Sequence, residues 1–221
     1  MSAEIRRYVH VVYGLDAVVQ RTADDEWSKP SPCSEWAALD VVVHNGWALQ
    51  MFTKMAQGSP AAVLPPADGS GVRAPGDDRY VFADHVVDTM VRLGGEYAAD
   101  PLGCWNRDRD ALVEALDEPG VGGLVTRTPW GEETDMDSWL GFAFWDPLVH
   151  TWDLAEAVGQ PTIVDLGLCE LALPAARAHD AKYSLRRPGV AEPPIETSTS
   201  DPLEALLLFA GRNLDWRQQH Q

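Results

Sequence analysis

The stretch DPLVHTWDLAEAVGQP, residues 146–161, carries the pattern on which both the predicted fold and the predicted site depend. Asp146 and His150 are spaced i, i+4, so a helix through this stretch places both side chains on one face, one turn apart. Gly159 and Pro161 then predict the end of that helix. Because a carboxylate and an imidazole on one helical face can bind the same cation, the stretch predicts part of a divalent-metal site.

A third ligand would have to come from another helix, and His44 is the best candidate. It lies in the middle of an apolar run, LDVVVHNGWAL, at residues 39–49. Two imidazoles and one carboxylate leave coordination positions open, which is typical of catalytic rather than structural sites. The ordinary alternative stays open at this point. A lone histidine on an apolar helix face is more often a core residue, and an Asp-x-x-x-His pair is frequent by chance.

Apolar residues at helical spacing predict a mainly α protein. The predicted helices cover residues 3–24, 37–57, 78–99, 107–117, 136–158, 165–182 and 202–216. Loops are predicted at 27–36 and 58–76, and the Gly-rich, β-branched segment 121–132 predicts a short strand and turn. We expect an antiparallel four-helix bundle over residues 1–164, with a helical C-terminal extension over residues 165–221 that packs on it.

The composition limits the partners of the chain. Its 221 residues include 17 Lys and Arg and 34 Asp and Glu, for a formal net charge of −17. Such a charge repels phosphate backbones and anionic lipid, so we expect neither nucleic acid nor membrane as a partner. No apolar stretch is long enough to span a bilayer, and the N-terminus lacks the apolar segment of a signal peptide. Three cysteines without a CxxC pair suit a reducing compartment, so we expect a cytoplasmic protein.

Four stretches, taken in order, carry a resemblance to a known group. KPSPCSEWAALDVVVHN (29–45) is similar to a helix signature that runs Pro-x-Pro-Cys-x-x-Trp and then Asp-Val-Val-x-His. TPWGE (128–132) is similar to a turn before the fourth helix, and residues 146–161 to a carboxylate-x-x-x-His-x-Trp-Asp-Leu-Ala motif. LLLFAGRNLDW (206–216) is similar to a C-terminal Gly-Arg ending. Together they resemble the mycothiol-dependent maleylpyruvate isomerase group of the DinB-like superfamily, over nearly the whole chain.

This resemblance implies a DinB-like four-helix bundle that holds a divalent metal, usually zinc. Its ligands are one histidine of the second helix and a carboxylate–histidine pair of the fourth. Carried over position by position, they are His44, Asp146 and His150, the residues that the spacing suggests separately. Nickel or iron would accept the same ligands. Mycothiol would be a co-substrate, because an open metal site can hold a thiol as thiolate at neutral pH.

The resemblance therefore predicts a metal-dependent thiol S-transferase or cis-trans isomerase acting on a small electrophilic, conjugated or aromatic substrate. As an isomerase, it would add the thiolate to a conjugated double bond, let the bond rotate and release the thiol. As a transferase, it would give a mycothiol conjugate. Two alternatives remain: a tailoring or cyclising enzyme of a biosynthetic pathway, and a non-catalytic small-molecule binding protein. We expect a monomer or a homodimer.

Further residues are predicted around the metal. Asp40 and Asp153 are candidate acceptors for the ligand histidines, although each could instead be an ordinary helical acid. Residues that could line a pocket beside the metal, or could equally be core, are Trp47, Met51, His85, Trp139 and Phe142. The sequence identifies no catalytic base or nucleophile and no thiol-binding residue.

The chain also departs from the group's pattern. Asp146 stands where glutamate is more usual, and Asn45 stands where leucine is common. Pro147 removes a backbone donor inside the predicted helix, so we expect a kink at the site. Ala37 and Ala38 replace the Ser or Thr that would cap the second helix, so the usual capping box is expected to be lost.

Overall fold

The computed structural model of the chain describes residues 1–58, 84–128, 132–183, 185–186 and 191–220, except for the side chains of residues 84–90. Over these ranges the chain is mainly helical and contains a small two-stranded antiparallel sheet. The predicted fold class, a helical bundle with short additional helices and a short hairpin, is confirmed. Among the residues described, no helix is both long enough and apolar enough to cross a membrane.

Helices make up most of the described residues, and we number them in chain order. They are α1 (Ala3–Val19), α2 (Ala38–Ala56), α3 (Asp84–Ala99), α4 (Pro101–Asp117), α5 (Met136–Ala143), α6 (Trp145–Ala157), α7 (Leu166–Tyr183), α8 (Pro202–Phe209) and α9 (Trp216–His220). A short 3-10 turn, Val121–Gly123, precedes strand β1 (Val125–Arg127), which pairs antiparallel with β2 (Glu133–Asp135). The predicted helices at 3–24 and 37–57 and the one through Pro174 are present, the first ending at Val19.

Three of the predicted segments lie in part outside the described residues. These parts are residues 59–76 of the loop at 58–76, the first six residues of the helix at 78–99, and residues 129–131 of the strand and turn at 121–132. The predicted helix at 107–117 begins earlier, at Pro101. Asp100 caps it by accepting a hydrogen bond from the Gly103 N–H at 2.9 Å, and proline suits the first helical position because its missing donor is not needed there.

The single helix predicted at 136–158 is wrong, because the chain breaks between α5 and α6 at Phe144. Pro147 lies in the first turn of α6, where a missing N–H costs little. Its ring would clash with the carbonyl of Ala143 in a continuous helix, which is why the interruption comes just before it. The expected kink is therefore a break that starts a new helix at the candidate site.

The single helix predicted at 202–216 is also wrong. Helix α8 ends at Phe209 because Gly211 adopts a left-handed conformation, with φ +79°. The N–H of Gly211 bonds to Leu208 O at 3.0 Å and that of Arg212 to Leu207 O at 2.9 Å, which satisfies the last carbonyls of the helix. A separate helix, α9, starts at Trp216.

The chain divides into two compact units. The first contains Met1–Val9 and Val42–Gly141, and the second contains His10–Val41 and Phe142–Gln221. Helices α1 and α2 run without interruption from one set of residues to the other. The predicted separation of residues 165–221 from a bundle of residues 1–164 stays a prediction.

In the first unit, a buried polar cluster holds helix α2. Asp108 of α4 accepts hydrogen bonds from Gln50 of α2 and from the Tyr97 hydroxyl, both at 2.9 Å. Tyr97 has no exposed surface, and its hydroxyl occupies the space beside Gly46 where a Cβ would lie only 2.1 Å away. The bare backbone of Gly46 therefore allows Tyr97 to approach α2 two residues after His44.

In the second unit, helix α6 is buried on almost every side. Its buried residues are Pro147, Leu148, Val149, His150, Thr151, Trp152, Asp153, Leu154, Ala155 and Ala157. A helix that is buried all round normally carries apolar residues only. Two of these positions hold a histidine and an aspartate instead, and each must find a partner to offset the cost of leaving water.

We expect Gly211→Ala to destabilise the protein. An L-residue in the left-handed region costs about 1–2 kcal/mol, and the added Cβ would lie 2.6 Å from the Cβ of Glu192 and 2.9 Å from Pro193 O. Urea unfolding should show a lower midpoint at an unchanged slope.

Gly159→Ala is the matched control for this substitution. Gly159 has φ +71°, and no atom lies within 4 Å of its added Cβ, so only the conformational cost remains. A loss of stability at Gly211 no greater than that at Gly159 would contradict the close packing of the turn after α8.

Candidate metal centre

Helix α6 places two of the predicted ligands on one face. Asp146 lies in its first turn and His150 one turn later, and Asp146 Oδ1 is 3.6 Å from His150 Nε2. The Asp146 side chain is half-buried, whereas His150 is 5% exposed. A carboxylate in a first turn also interacts favourably with the helix dipole. The i, i+4 spacing thus brings the two donors together as the pattern indicates.

The other ring nitrogen of His150 is directed to Asp153. His150 Nδ1 donates to Asp153 Oδ2 at 2.9 Å, and Asp153 has no exposed surface. Because a carboxylate can only accept, this hydrogen bond requires a proton on Nδ1, and Nε2 lies on the side of Asp146. An outer carboxylate that fixes the tautomer and the orientation of a histidine ring is a recurrent feature of metal-binding histidines.

Arg212, which sequence reasoning missed, completes this network. Its Nε donates to Asp153 Oδ1 and a terminal nitrogen donates to Asp153 Oδ2, both at 2.8 Å. Its other terminal nitrogen donates to Ala210 O at 2.9 Å, and the residue is 7% exposed. The only sequence signal was an arginine after the glycine in LLLFAGRNLDW, and nothing in that stretch shows that the guanidinium is buried.

The loop before α2 covers one face of the histidine ring. The indole of Trp36 stacks on His150 with the ring centroids 5.7 Å apart and the planes 19° from parallel. Cys33, in the same loop, is half-buried, and burial raises the pKa of its thiol to about 12 against the opposing effect of Arg212. At neutral pH Cys33 is therefore a thiol rather than a nucleophilic thiolate.

The charges around His150 favour a cation. Burial lowers the pKa of the imidazole, but Asp146 and Asp153 outweigh it and raise that pKa to about 9. Burial raises the pKa of Asp153, but Arg212 and His150 outweigh it, and the net shift is downward. With His150 neutral, two carboxylates and one guanidinium carry one net negative charge, so the surroundings of the ring favour either a proton on His150 or a bound cation.

The remaining predicted ligand is His44, which is half-buried on α2 with its ring centroid 6.2 Å from that of Trp47. That it binds the same cation as Asp146 and His150 stays a prediction. The exposed Asp40 accepts a hydrogen bond from the Ala37 N–H at 2.8 Å. The capping box of α2 is therefore only half lost, because the acid still satisfies a backbone donor where the alanine side chain cannot.

The predicted pocket residues differ in their environments. Met51 and Trp139 are buried, and Trp139 packs edge-on against Phe52 with centroids 6.1 Å apart. Trp47 and Phe142 are half-buried, and the side chain of His85 lies outside the described residues. That these residues line a pocket stays a prediction.

Phe142 belongs to an aromatic cluster around His179. The two rings have centroids 4.4 Å apart, and Trp145 Nε1 donates to His179 Nδ1 at 3.1 Å. Burial lowers the pKa of His179 to about 4, against the opposing charges of Asp146 and Asp180. His179 is therefore a neutral, hydrogen-bonded core residue at neutral pH.

The family model of the mycothiol maleylpyruvate isomerase N-terminal domain matches residues 10–155. The chain belongs to this family. The family is a DinB-like group, so the predicted resemblance is confirmed. The domain match includes His44, Asp146, His150 and Asp153 and ends before Arg212.

Two curated proteins are similar to this family member. Both are uncharacterized proteins of Mycobacterium tuberculosis, from strains CDC 1551 / Oshkosh and ATCC 25618 / H37Rv. Each is 27% identical over 162 residues, which are 73% of this chain and 71% of the relative. No solved structure matches the chain. The family, rather than a characterised relative, is therefore the connection to chemistry.

Neutral His179 predicts a loss of stability in acid. The native pKa of about 4 lies below the ordinary value of 6.5, so the unfolded chain binds the proton first as the pH falls. The contribution of His179 is fully present above pH 6.5 and decreases toward pH 4, by at most about 1.4 kcal/mol per pH unit.

Urea unfolding of wild type and His179→Gln across this range measures the effect. The glutamine side chain can still accept from Trp145 but does not titrate, so the stability of the variant should depend less on pH. Parallel stability curves for the two proteins would contradict a neutral, buried His179.

Proposed function

We propose that this protein is a metal-dependent enzyme that uses a low-molecular-weight thiol, mycothiol, to isomerise or derivatise a small electrophilic substrate. The proposed ligands of the metal are His44, Asp146 and His150. One observation carries the proposal: on helix α6, Asp146 Oδ1 lies 3.6 Å from His150 Nε2, while Asp153 holds the other nitrogen of that ring. The resemblance of the second-helix stretch adds His44 as the third proposed ligand. The name of the family supports mycothiol as the thiol and isomerisation as one of the two reactions.

The donor set suits a divalent transition metal. Two imidazole nitrogens and one carboxylate oxygen are accepted by zinc, nickel and iron alike, and zinc is the metal we propose. Asp146 and Asp153 raise the pKa of His150 to about 9 against the effect of burial, so the surroundings of this ring favour positive charge and suit a cation better than a neutral ligand. Three protein ligands leave positions open for a thiol and a substrate, as a catalytic site requires.

When bound, a divalent ion at this site lowers the pKa of a thiol, so that a thiolate is available at neutral pH. The residues of the chain prepare the site for it. Asp153 holds the His150 ring in one tautomer, and Trp36 excludes water from one face of that ring. Cys33 keeps its proton, so the chain itself does not provide a competing thiolate.

Metal analysis tests the proposal directly. We expect the purified wild-type protein to bind one divalent ion per chain, by elemental analysis and by titration with zinc. His44→Ala should weaken zinc binding strongly, because it removes one of three ligands. His10→Ala is the matched control, since His10 is an exposed histidine of α1 and its loss should leave binding unchanged.

A wild-type protein that holds no stoichiometric metal and does not bind added zinc would refute the proposal. If the protein binds metal, a second assay measures its turnover of mycothiol together with conjugated cis-alkenes or with alkylating electrophiles. Recovery of free thiol with a trans product identifies an isomerase, and a thioether product identifies a transferase. Bound metal without turnover of either substrate class would favour a binding protein instead.

A further inference from the structure

We infer that Arg212, in the segment after α8, is a positioning residue for the proposed metal site and acts through Asp153 on the ligand His150. The inference rests on the proposed function, because it concerns how one of the proposed ligands is held. Arg212 lies outside residues 10–155, the part of the chain that the family model matches. The argument depends on three buried side chains that form one hydrogen-bonded chain.

The first step concerns geometry. Asp153 Oδ2 accepts from Arg212 and from His150 Nδ1, at 2.8 and 2.9 Å, and Oδ1 accepts from Arg212 Nε at 2.8 Å. A guanidinium that takes both oxygens of a carboxylate fixes the plane of that carboxylate. The orientation of the His150 ring is therefore determined by a group that is itself held at two points.

The second step concerns charge. Asp153 has no exposed surface, and a buried carboxylate without a cationic partner is too costly to remain ionised. Arg212 is the cationic partner that offsets this cost, and Asp153 Oδ2 accepts the hydrogen bond from His150 Nδ1. His150 Nε2 is then the ring atom that lies toward Asp146, on the side of the proposed metal.

The third step concerns how Arg212 reaches Asp153. The left-handed turn at Gly211 ends α8 and directs the next residue back to α6. Arg212 also donates to Ala210 O at 2.9 Å, so both sides of the guanidinium are held. The C-terminal segment thus supplies the positive charge that pairs with Asp153 on the buried helix α6.

A second arginine, Arg217, provides a control that distinguishes positioning of His150 from simple anchoring of the C-terminal segment. Arg217 of α9 also ties the C-terminal segment to the α6 region, by donating to Ala155 O at 2.9 Å and Gln160 O at 2.8 Å and by pairing with Glu156. These contacts are at the C-terminal end of α6, away from its first turn. Arg217→Met therefore loosens the same segment without removing the partner of Asp153.

The experiment compares zinc affinity and thermal stability in wild type, Arg212→Lys, the double variant Asp153→Asn with Arg212→Met, and Arg217→Met. The double variant keeps similar volumes and leaves no unpaired buried charge, so it is the form expected to fold. We expect it to bind zinc about 10- to 100-fold more weakly than wild type. Arg212→Lys should give an intermediate loss, because one ammonium cannot take both oxygens. Arg217→Met should bind zinc with the affinity of wild type, even if its thermal unfolding midpoint is lower.

Equal zinc affinity in wild type, Arg212→Lys and the double variant would overturn the inference while leaving the proposed function intact. An equal loss in Arg217→Met would also overturn it, because the effect would then come from anchoring alone. A wild-type protein that binds no zinc would overturn the proposed function and this inference with it. Should the double variant not fold, the comparison of Arg212→Lys with Arg217→Lys decides between the same outcomes.

Discussion

The carboxylate of Asp153 is the group around which the second unit is organised. It has no exposed surface, yet it carries a charge, because Arg212 donates to both of its oxygens and His150 donates to one of them. Removing either donor would leave an ion in a medium that solvates it poorly. Because α6 is buried, the charge of Asp153 must be paired within the protein, and the turn that brings Arg212 to it meets this requirement.

The same helix shows how a local break produces a site. Pro147 prevents a continuous helix from residue 136 onward, so a new helix begins just before Asp146. An acid that would otherwise lie in the middle of a buried helix instead occupies a first turn, where it is half-buried and favoured by the dipole. The break at Pro147 thus leaves the Asp146 carboxylate 3.6 Å from His150 Nε2.

Helix α2 is positioned by other means. Its start keeps half of a capping box, because Asp40 accepts from the Ala37 N–H. Farther along, Gly46 and Gln50 meet Tyr97 and the buried Asp108. Buried polar contacts of this kind fix the rotation of a helix about its axis. Packing of apolar residues alone constrains this rotation less. His44 is carried by this helix between the two sets of contacts.

Features that depend on residues close together along the chain can be predicted from the amino-acid pattern. The helical spacing of apolar positions predicts most of the helices, and the i, i+4 spacing predicts that Asp146 and His150 share a face. Features that depend on contacts between distant residues become visible only in the folded protein. The partner of Asp153 comes from 59 residues along the chain, α8 ends at a left-handed glycine rather than at residue 216, and Trp36 stacks on His150 from the loop before α2. The physical reason is that periodicity reports the solvent exposure of each face, whereas the pairing of a buried charge depends on which side chains the whole fold brings within hydrogen-bonding distance.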